Sequence, residues 1–202
     1  MSEMPQLYLI TPPAFEPDAF TLQLAGILDA LPVACLRLSL AADADTIARA
    51  ADRVRETSHA RDVPLVIERH VALVERIGLD GVHLADTRAI GALRKEMGAD
   101  PIIGVSAGAS RHDGISAGEA GADYIAFGPV GETGLGDGTR APAELFAWWS
   151  EMIELPVVAE GGLDQSLIEA LAPCVDFFAI GPEIWSADDP LKALTDLAAP
   201  IR

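Results

Sequence analysis

The chain has 202 residues, 50% of them hydrophobic, which supplies one sizeable core but too little length for two ordinary domains and a linker. Its 31 acidic residues against 14 basic ones give a formal charge of −17, and this argues against nucleic acid or an anionic membrane as partner, since neutralising phosphates needs basic surface. No apolar run approaches the roughly 18 residues of a membrane span, the N-terminal MSEMPQLYLITPP has no signal-peptide pattern, and the two cysteines, Cys35 and Cys174, lack metal spacing; a cytoplasmic protein with core-packed thiols is expected.

In chain order, short apolar runs alternate with helical patterns. A strand at 6–12 precedes a helix at 18–31, a strand at 34–40 a helix at 45–59, and a strand at 64–68 a helix at 71–78. The series continues with strands at 81–84, 102–106, 124–130, 156–160 and 177–180, followed in turn by helices at 87–97, 111–121, 142–153, 164–171 and 189–197. Continuous apolar runs suit strands buried on both faces, and strict alternation with helices gives a parallel sheet. Eight such units predict a single (β/α)8 barrel, a TIM barrel, over 1–202. The alternative is a doubly wound open sheet, which usually carries a glycine-rich turn after its first strand; here that turn reads Thr11-Pro12-Pro13. Asp18, Asp45, Pro142 and Asp164 mark helix starts, and Gly78 and Gly98 mark stops. The glycine-rich stretch 131–138 reads as a lid or as a plain connection.

Active-site residues of a barrel come from the C-terminal ends of its strands. In the second strand Arg37 and Ser39 alternate with Leu36, Leu38 and Leu40, so the two polar residues face the barrel mouth; an arginine paired with a core carboxylate is the other reading. Arg69 and Arg88 follow the third and fourth strands and suit an anion clamp, or a charge network with Glu68 and Asp86. Glu68 and Asp86 also suit Mg2+, which takes two carboxylates plus substrate phosphate. Gly161-Gly162 after the seventh strand and Gly181 after the eighth let backbone N–H groups approach an oxyanion, although a tight turn explains the double glycine equally well. His83, inside the fourth strand, reads as a satisfied core histidine, while His59 and His112 read as solvated.

The blocks LYLITP, PLVIERHVALVERIGLDGVHLADT, IIGVSA, EAGADYIAFGPVGET, PVVAEGGL and FFAIGPEIW resemble, in order and spacing, the strand ends of the thiamine phosphate synthase and thiazole tautomerase family. The resemblance covers residue 7 to about residue 185 and implies a (β/α)8 barrel of thiamine biosynthesis. It also implies a pyrophosphate-releasing transferase that joins hydroxymethylpyrimidine diphosphate to thiazole phosphate with the help of Mg2+. Carried over by position, Ser106 contacts pyrophosphate, Thr133 lies near the thiazole, Gly162 binds the thiazole phosphate through its backbone, and Arg37 replaces a glutamine that contacts the diphosphate.

The sequence departs from the family where charge is handled. Arg69 and Arg88 stand at the two Mg2+-binding aspartate positions, so no metal ligand is retained there, and a Val-Ser pair that binds phosphate is Gly181-Pro182. A lysine past Thr133 is Gly136, Ser39-Leu40-Ala41 replaces an Arg-Glu-Lys run, and the tautomerase histidine is Pro129. Arg37, Arg69 and Arg88 are therefore expected to form a metal-independent anion clamp for a phosphorylated small molecule. Two alternatives stay open: a non-catalytic binder of thiamine phosphate or a related ligand, and a barrel enzyme for another phosphosubstrate, with Glu68 or Glu160 as base. The reading allows a homodimer.

Overall fold

The computed structural model describes residues 4–134 and 138–202. Eight parallel strands close in sequential order, β1 to β8 and back to β1. They are β1 Gln6–Ile10, β2 Val33–Leu38, β3 Leu65–Glu68, β4 Gly81–Leu84, β5 Ile102–Gly108, β6 Tyr124–Phe127, β7 Val157–Glu160 and β8 Phe177–Ile180. The outer helices are α1 Pro17–Ala30, α2 Ala44–His59, α3 Ala72–Ile77, α4 Ile90–Met97, α5 Arg111–Glu119, α6 Ala143–Met152 and α7 Gln165–Leu171, then α8 Pro182–Trp185 and α9 Pro190–Leu197. The expected barrel is therefore the observed one. Among the described residues no helix is long and apolar enough to cross a membrane.

Period-two alternation divides the strand residues between two cores. Leu36, Leu38, Leu65, Ile67, Ile103 and Val105 point outward into the main core beneath the helices. Tyr8, Cys35, Val66, Tyr124, Ala126, Val158 and Ala179 point inward and fill the barrel's interior. Gly104 makes room there: a Cβ on it would lie 2.0 Å from Cζ of Tyr124.

The first two helix starts differ slightly from expectation because the capping side chains lie two residues earlier. Glu16 accepts from the N–H groups of Asp18 and Ala19 ahead of α1, and Asp43 accepts from Asp45 and Thr46 ahead of α2. Asp164 caps α7 as expected, and Gly78, at φ 77°, ends α3 in the left-handed region. Strands β1 and β6 stop short of their apolar runs, where prolines 12 and 129 enter with no N–H to donate. The short helix α8 carries no periodic signal, and the sequence pattern does not show it.

At the N-terminal end of the barrel one device recurs three times. Asp80, Asp123 and Asp176 each immediately precede an even-numbered strand. Their Oδ2 atoms accept from the N–H groups of Leu65 (2.7 Å), Ile103 (2.7 Å) and Val157 (2.8 Å) on the preceding strand. Each aspartate N–H donates back to the carbonyl of that same residue, at 3.0, 2.8 and 3.0 Å. His59, expected to be solvated, instead bonds Asp80 through Nε2 at 2.7 Å.

Candidate functional site

At the C-terminal ends of the strands the barrel opens into two adjoining cavities. One, of about 500 Å³, is lined by Arg37, Ser39, Glu68, Arg69, Ser106 and Glu160 among others. The other, of about 640 Å³, is bordered by Asp86, Thr87, Ser110 and Asp113. Ser106, Gly108 and Gly128 belong to both walls, so the two form one mouth.

Its floor is a buried polar network. Alternation along β2 turns Arg37 inward, as the sequence indicates, where it is only 4% exposed. Nη2 donates to Oε2 of Glu160 at 2.6 Å, and Glu160 is itself 3% exposed. Nη1 lies 2.7 Å from Nε2 of His83. A guanidinium has no lone pair to offer, so Nε2 is the acceptor and the imidazole proton sits on Nδ1. That proton points to the Tyr124 hydroxyl at 2.9 Å, which in turn bonds the Tyr8 hydroxyl at 2.8 Å. The chain runs from the mouth to the inner aromatic layer.

Ser106 Oγ lies 3.0 Å from His83 Nε2 and 3.2 Å from Glu160 Oε1. With Nε2 taken by Arg37, the serine proton goes to the carboxylate. Glu68 Oε2 accepts from Ser39 Oγ at 2.9 Å, and its Oε1 lies 3.4 Å from Nε of Arg37 without a hydrogen bond.

These contacts set the charge states. Burial, with the Arg37 charge second, holds the His83 pKa well below its ordinary value, so the ring is neutral. Burial opposes the Arg37 charge, but Glu160, the two tyrosines and Glu68 outweigh it and raise the pKa. Burial raises Tyr8 and Tyr124, keeping both phenols protonated, and pushes the Cys35 thiol up to about 12. Cys174 is half-buried and its pKa is raised for the same reason.

The structure does not gather the three arginines into one clamp. Arg37 is the buried arginine paired with core carboxylates. Arg88 is spread over the solvent side of Asp86, with Nη2 to Oδ2 at 2.6 Å and Nε to Oδ1 at 3.0 Å, and its side chain is 87% exposed. Arg88 draws the Asp86 pKa down to about 2. Arg69 alone of the three stands at the rim without an ion pair among the described residues. Its φ of 63° is a left-handed backbone uncommon for a side-chain-bearing residue, a conformation that often accompanies a functional turn. Thr133 is exposed and lines neither cavity, and Gly136 lies outside the described residues, as does part of the 131–138 lid candidate.

Gly161, Gly162 and Gly181 do come together. Gly161 and Gly162 have φ of 84° and 71°, and a Cβ on neighbouring Gly131 would lie 1.9 Å from the Gly162 carbonyl oxygen. The N–H groups of Gly162 and Leu163 converge with that of Gly181, but they already have an acceptor. Glu183 Oε1 takes Gly162 at 3.0 Å and Leu163 at 3.2 Å, while Oε2 takes Gly181 at 2.9 Å.

The residues present do not fit Mg2+. Arg88 occupies Asp86, and Ser39 and Arg37 occupy Glu68. No cluster of three or more His, Cys, Asp or Glu side chains able to hold a metal occurs among the described residues. Sequence reasoning missed the roles of Tyr124 and Glu183. Tyr124 was legible only as an apolar strand residue. For Glu183 the signal was its place two residues after Gly181.

Both the sequence and the barrel have relatives among known proteins. The family model described as thiamine monophosphate synthase matches residues 7–183. A thiamine-phosphate synthase of Rhodospirillum centenum is 41% identical over 196 residues, 95% of each chain. One of Erythrobacter litoralis is 38% identical over 155 residues, 73% of this chain and 71% of that one. A thiamine phosphate pyrophosphorylase from Pyrococcus furiosus superposes with a TM-score of 0.83 at 23% identity, covering 97% of this chain and 95% of that one, which is a likeness of fold.

Proposed function

The chain belongs to the thiamine monophosphate synthase family, and we propose that its mouth couples a pyrimidine diphosphate to a thiazole with the family's metal carboxylates replaced by cationic side chains. In that reaction the bond from the pyrimidine methylene carbon to the diphosphate oxygen breaks and its electron pair leaves on pyrophosphate. The thiazole nitrogen then supplies the pair of the new C–N bond. The chemical demand is charge stabilisation of the leaving group.

The observation that carries this reading is Arg69. It is a cation without an ion pair among the described residues, set on a left-handed turn at the rim of the cavity that Ser106 also lines, above a floor where Arg37 and Glu160 are already paired. Arg37 and Glu160 hold Ser106 and His83 in place, and neutral His83 adds no charge of its own.

The test is a coupling assay with hydroxymethylpyrimidine diphosphate and either thiazole phosphate or the dephosphorylated thiazole, in Mg2+ and in EDTA. Product at similar rates in both conditions, reduced on the order of a hundredfold by Arg69→Ala, is the expected result. Product in Mg2+ alone would restore a metal to the mechanism. A second reading, a non-catalytic binder of a thiamine-related ligand, is favoured by arginines at both metal positions. Ligand binding without product from either acceptor would establish it in place of the first.

A further inference from the structure

Barrels of this type frequently bind phosphate in the loops after their seventh and eighth strands, where backbone N–H groups and glycines leave room for an oxyanion. Here those turns build the expected nest, with Gly162 and Leu163 on one side and Gly181 on the other, and Glu183 already fills it. Its two carboxylate oxygens accept all three hydrogen bonds, at 3.0, 3.2 and 2.9 Å. The anion this nest was shaped to hold is thus supplied by the chain itself.

The carboxylate is also hard to dislodge. Glu183 lies in the first turn of α8, two residues from Gly181. That turn is fastened at its other end by Trp185, whose Nε1 donates to the carbonyl of Ile10 at 2.6 Å and whose ring meets Phe20 edge to face at 5.2 Å. A tethered acceptor reaches the nest at high effective concentration. An incoming phosphate must expel it and then remain close to a like charge in a half-buried site.

We infer that Glu183 is a specificity-determining residue: it closes the nest after the seventh and eighth strands to a phosphate monoester, so that the acceptor coupled here ends in a free hydroxyl. A hydroxyl has a proton to donate to a carboxylate, where a phosphate dianion has none. The inference rests on the coupling reading of the mouth and narrows its acceptor; the product released would then carry an unphosphorylated side chain.

The experiment uses the isotope-labelled full chain and inorganic phosphate as probe, with amide shifts of Gly162, Leu163 and Gly181 as readout. In the native protein these amides stay still, and in Glu183→Ala they move saturably. Glu183→Gln is the second variant: its one amide oxygen serves Gly162 and Leu163, but its NH2 group meets the Gly181 N–H donor to donor, so the nest loosens and phosphate enters more weakly.

Calorimetry then compares the dephosphorylated thiazole with its phosphate. Native protein prefers the alcohol, and Glu183→Ala shifts the ratio toward the phosphate on the order of tenfold or more. Phosphate moving the three amides of the native protein overturns the inference, as does a folded Glu183→Ala protein that gains no phosphate response. A protein that makes no coupled product yet passes the phosphate titration loses the coupling reading and keeps the occupied nest.

Discussion

The two ends of the barrel both rely on carboxylates, and they use them differently. At the N-terminal end Asp80, Asp123 and Asp176 each bond an N–H near the start of the neighbouring strand and return a bond from their own N–H. Each closes a small ring, and the device occurs three times around the barrel. At the C-terminal end Glu160 reaches Arg37 across 123 residues of sequence, and Glu68, His83 and Ser106 share the same guanidinium or the same carboxylate. One end is a set of local, repeated clamps; the other is a single coupled network with no spare member. Loss of one clamp leaves the others intact, whereas loss of one network member leaves its partners buried and unpaired.

The strongest way to break the comparison is Glu160→Ala. It leaves a 4%-exposed guanidinium with Glu68 at the rim as its remaining carboxylate among the described residues, and the expected loss is roughly 3–5 kcal/mol in denaturant unfolding. The double variant Glu160→Ala with Arg37→Leu should recover much of that loss, because the unpaired charge goes with the arginine. A Glu160→Ala protein within about 1 kcal/mol of the native chain would mean that water or Glu68 already answers Arg37, and the contrast between the two ends would fail.

A smaller effect comes from His83. Its folded-state pKa is depressed by burial and by Arg37, while in the unfolded chain it titrates near about 6.5. Above that pH both states hold it neutral, so it adds no slope. Below it the unfolded state takes up a proton that the folded state refuses, so stability falls as pH drops, by at most about 1.4 kcal/mol per pH unit. Unfolding of the native chain and of His83→Gln, compared between pH 7.5 and 5.5, should show a shallower acid slope in the variant. Equal slopes would show that His83 takes a proton in the folded state, and that its Nε2 does not stay the acceptor for Arg37.

The sequence carried the barrel but only half of the mouth. Strand runs such as 81–84 and 177–180 match their observed bounds because burial on both faces demands unbroken apolar residues, a constraint written locally. Arg37 and Ser39 facing inward followed from period two alone. What the Arg37 charge would meet did not follow, since its partner Glu160 lies on the far side of the barrel. The three arginines looked alike in spacing, yet one is buried, one is tied to Asp86 two residues away, and one stands at the rim with no ion pair among the described residues. Gly161, Gly162 and Gly181 were legible as a nest because glycines leave backbone N–H groups open to an oxyanion. Its occupant was not, because a glutamate in a four-residue helix gives no periodic signal.

The gentlest probe is Asp176, the aspartate that clamps the start of β7. Asp176→Ala leaves the N–H of Val157 without its side-chain acceptor and is expected to lose about 1 kcal/mol of stability. Asp176→Asn keeps an oxygen in nearly the same place, so a clamp that works by geometry should recover most of the loss, and one that works by charge should recover little. The main-chain bond from Asp176 N to the Val157 carbonyl, at 3.0 Å, survives either substitution and limits the damage to one bond of the pair. Neither change touches the mouth, so ligand affinity there should stay within about twofold of native, a difference of roughly 0.4 kcal/mol. A larger change in affinity would mean that strand β7 transmits the register of its first residue to Glu160 at its last. The two ends of the barrel would then be one mechanical unit, and the locality assigned to the clamps would be wrong.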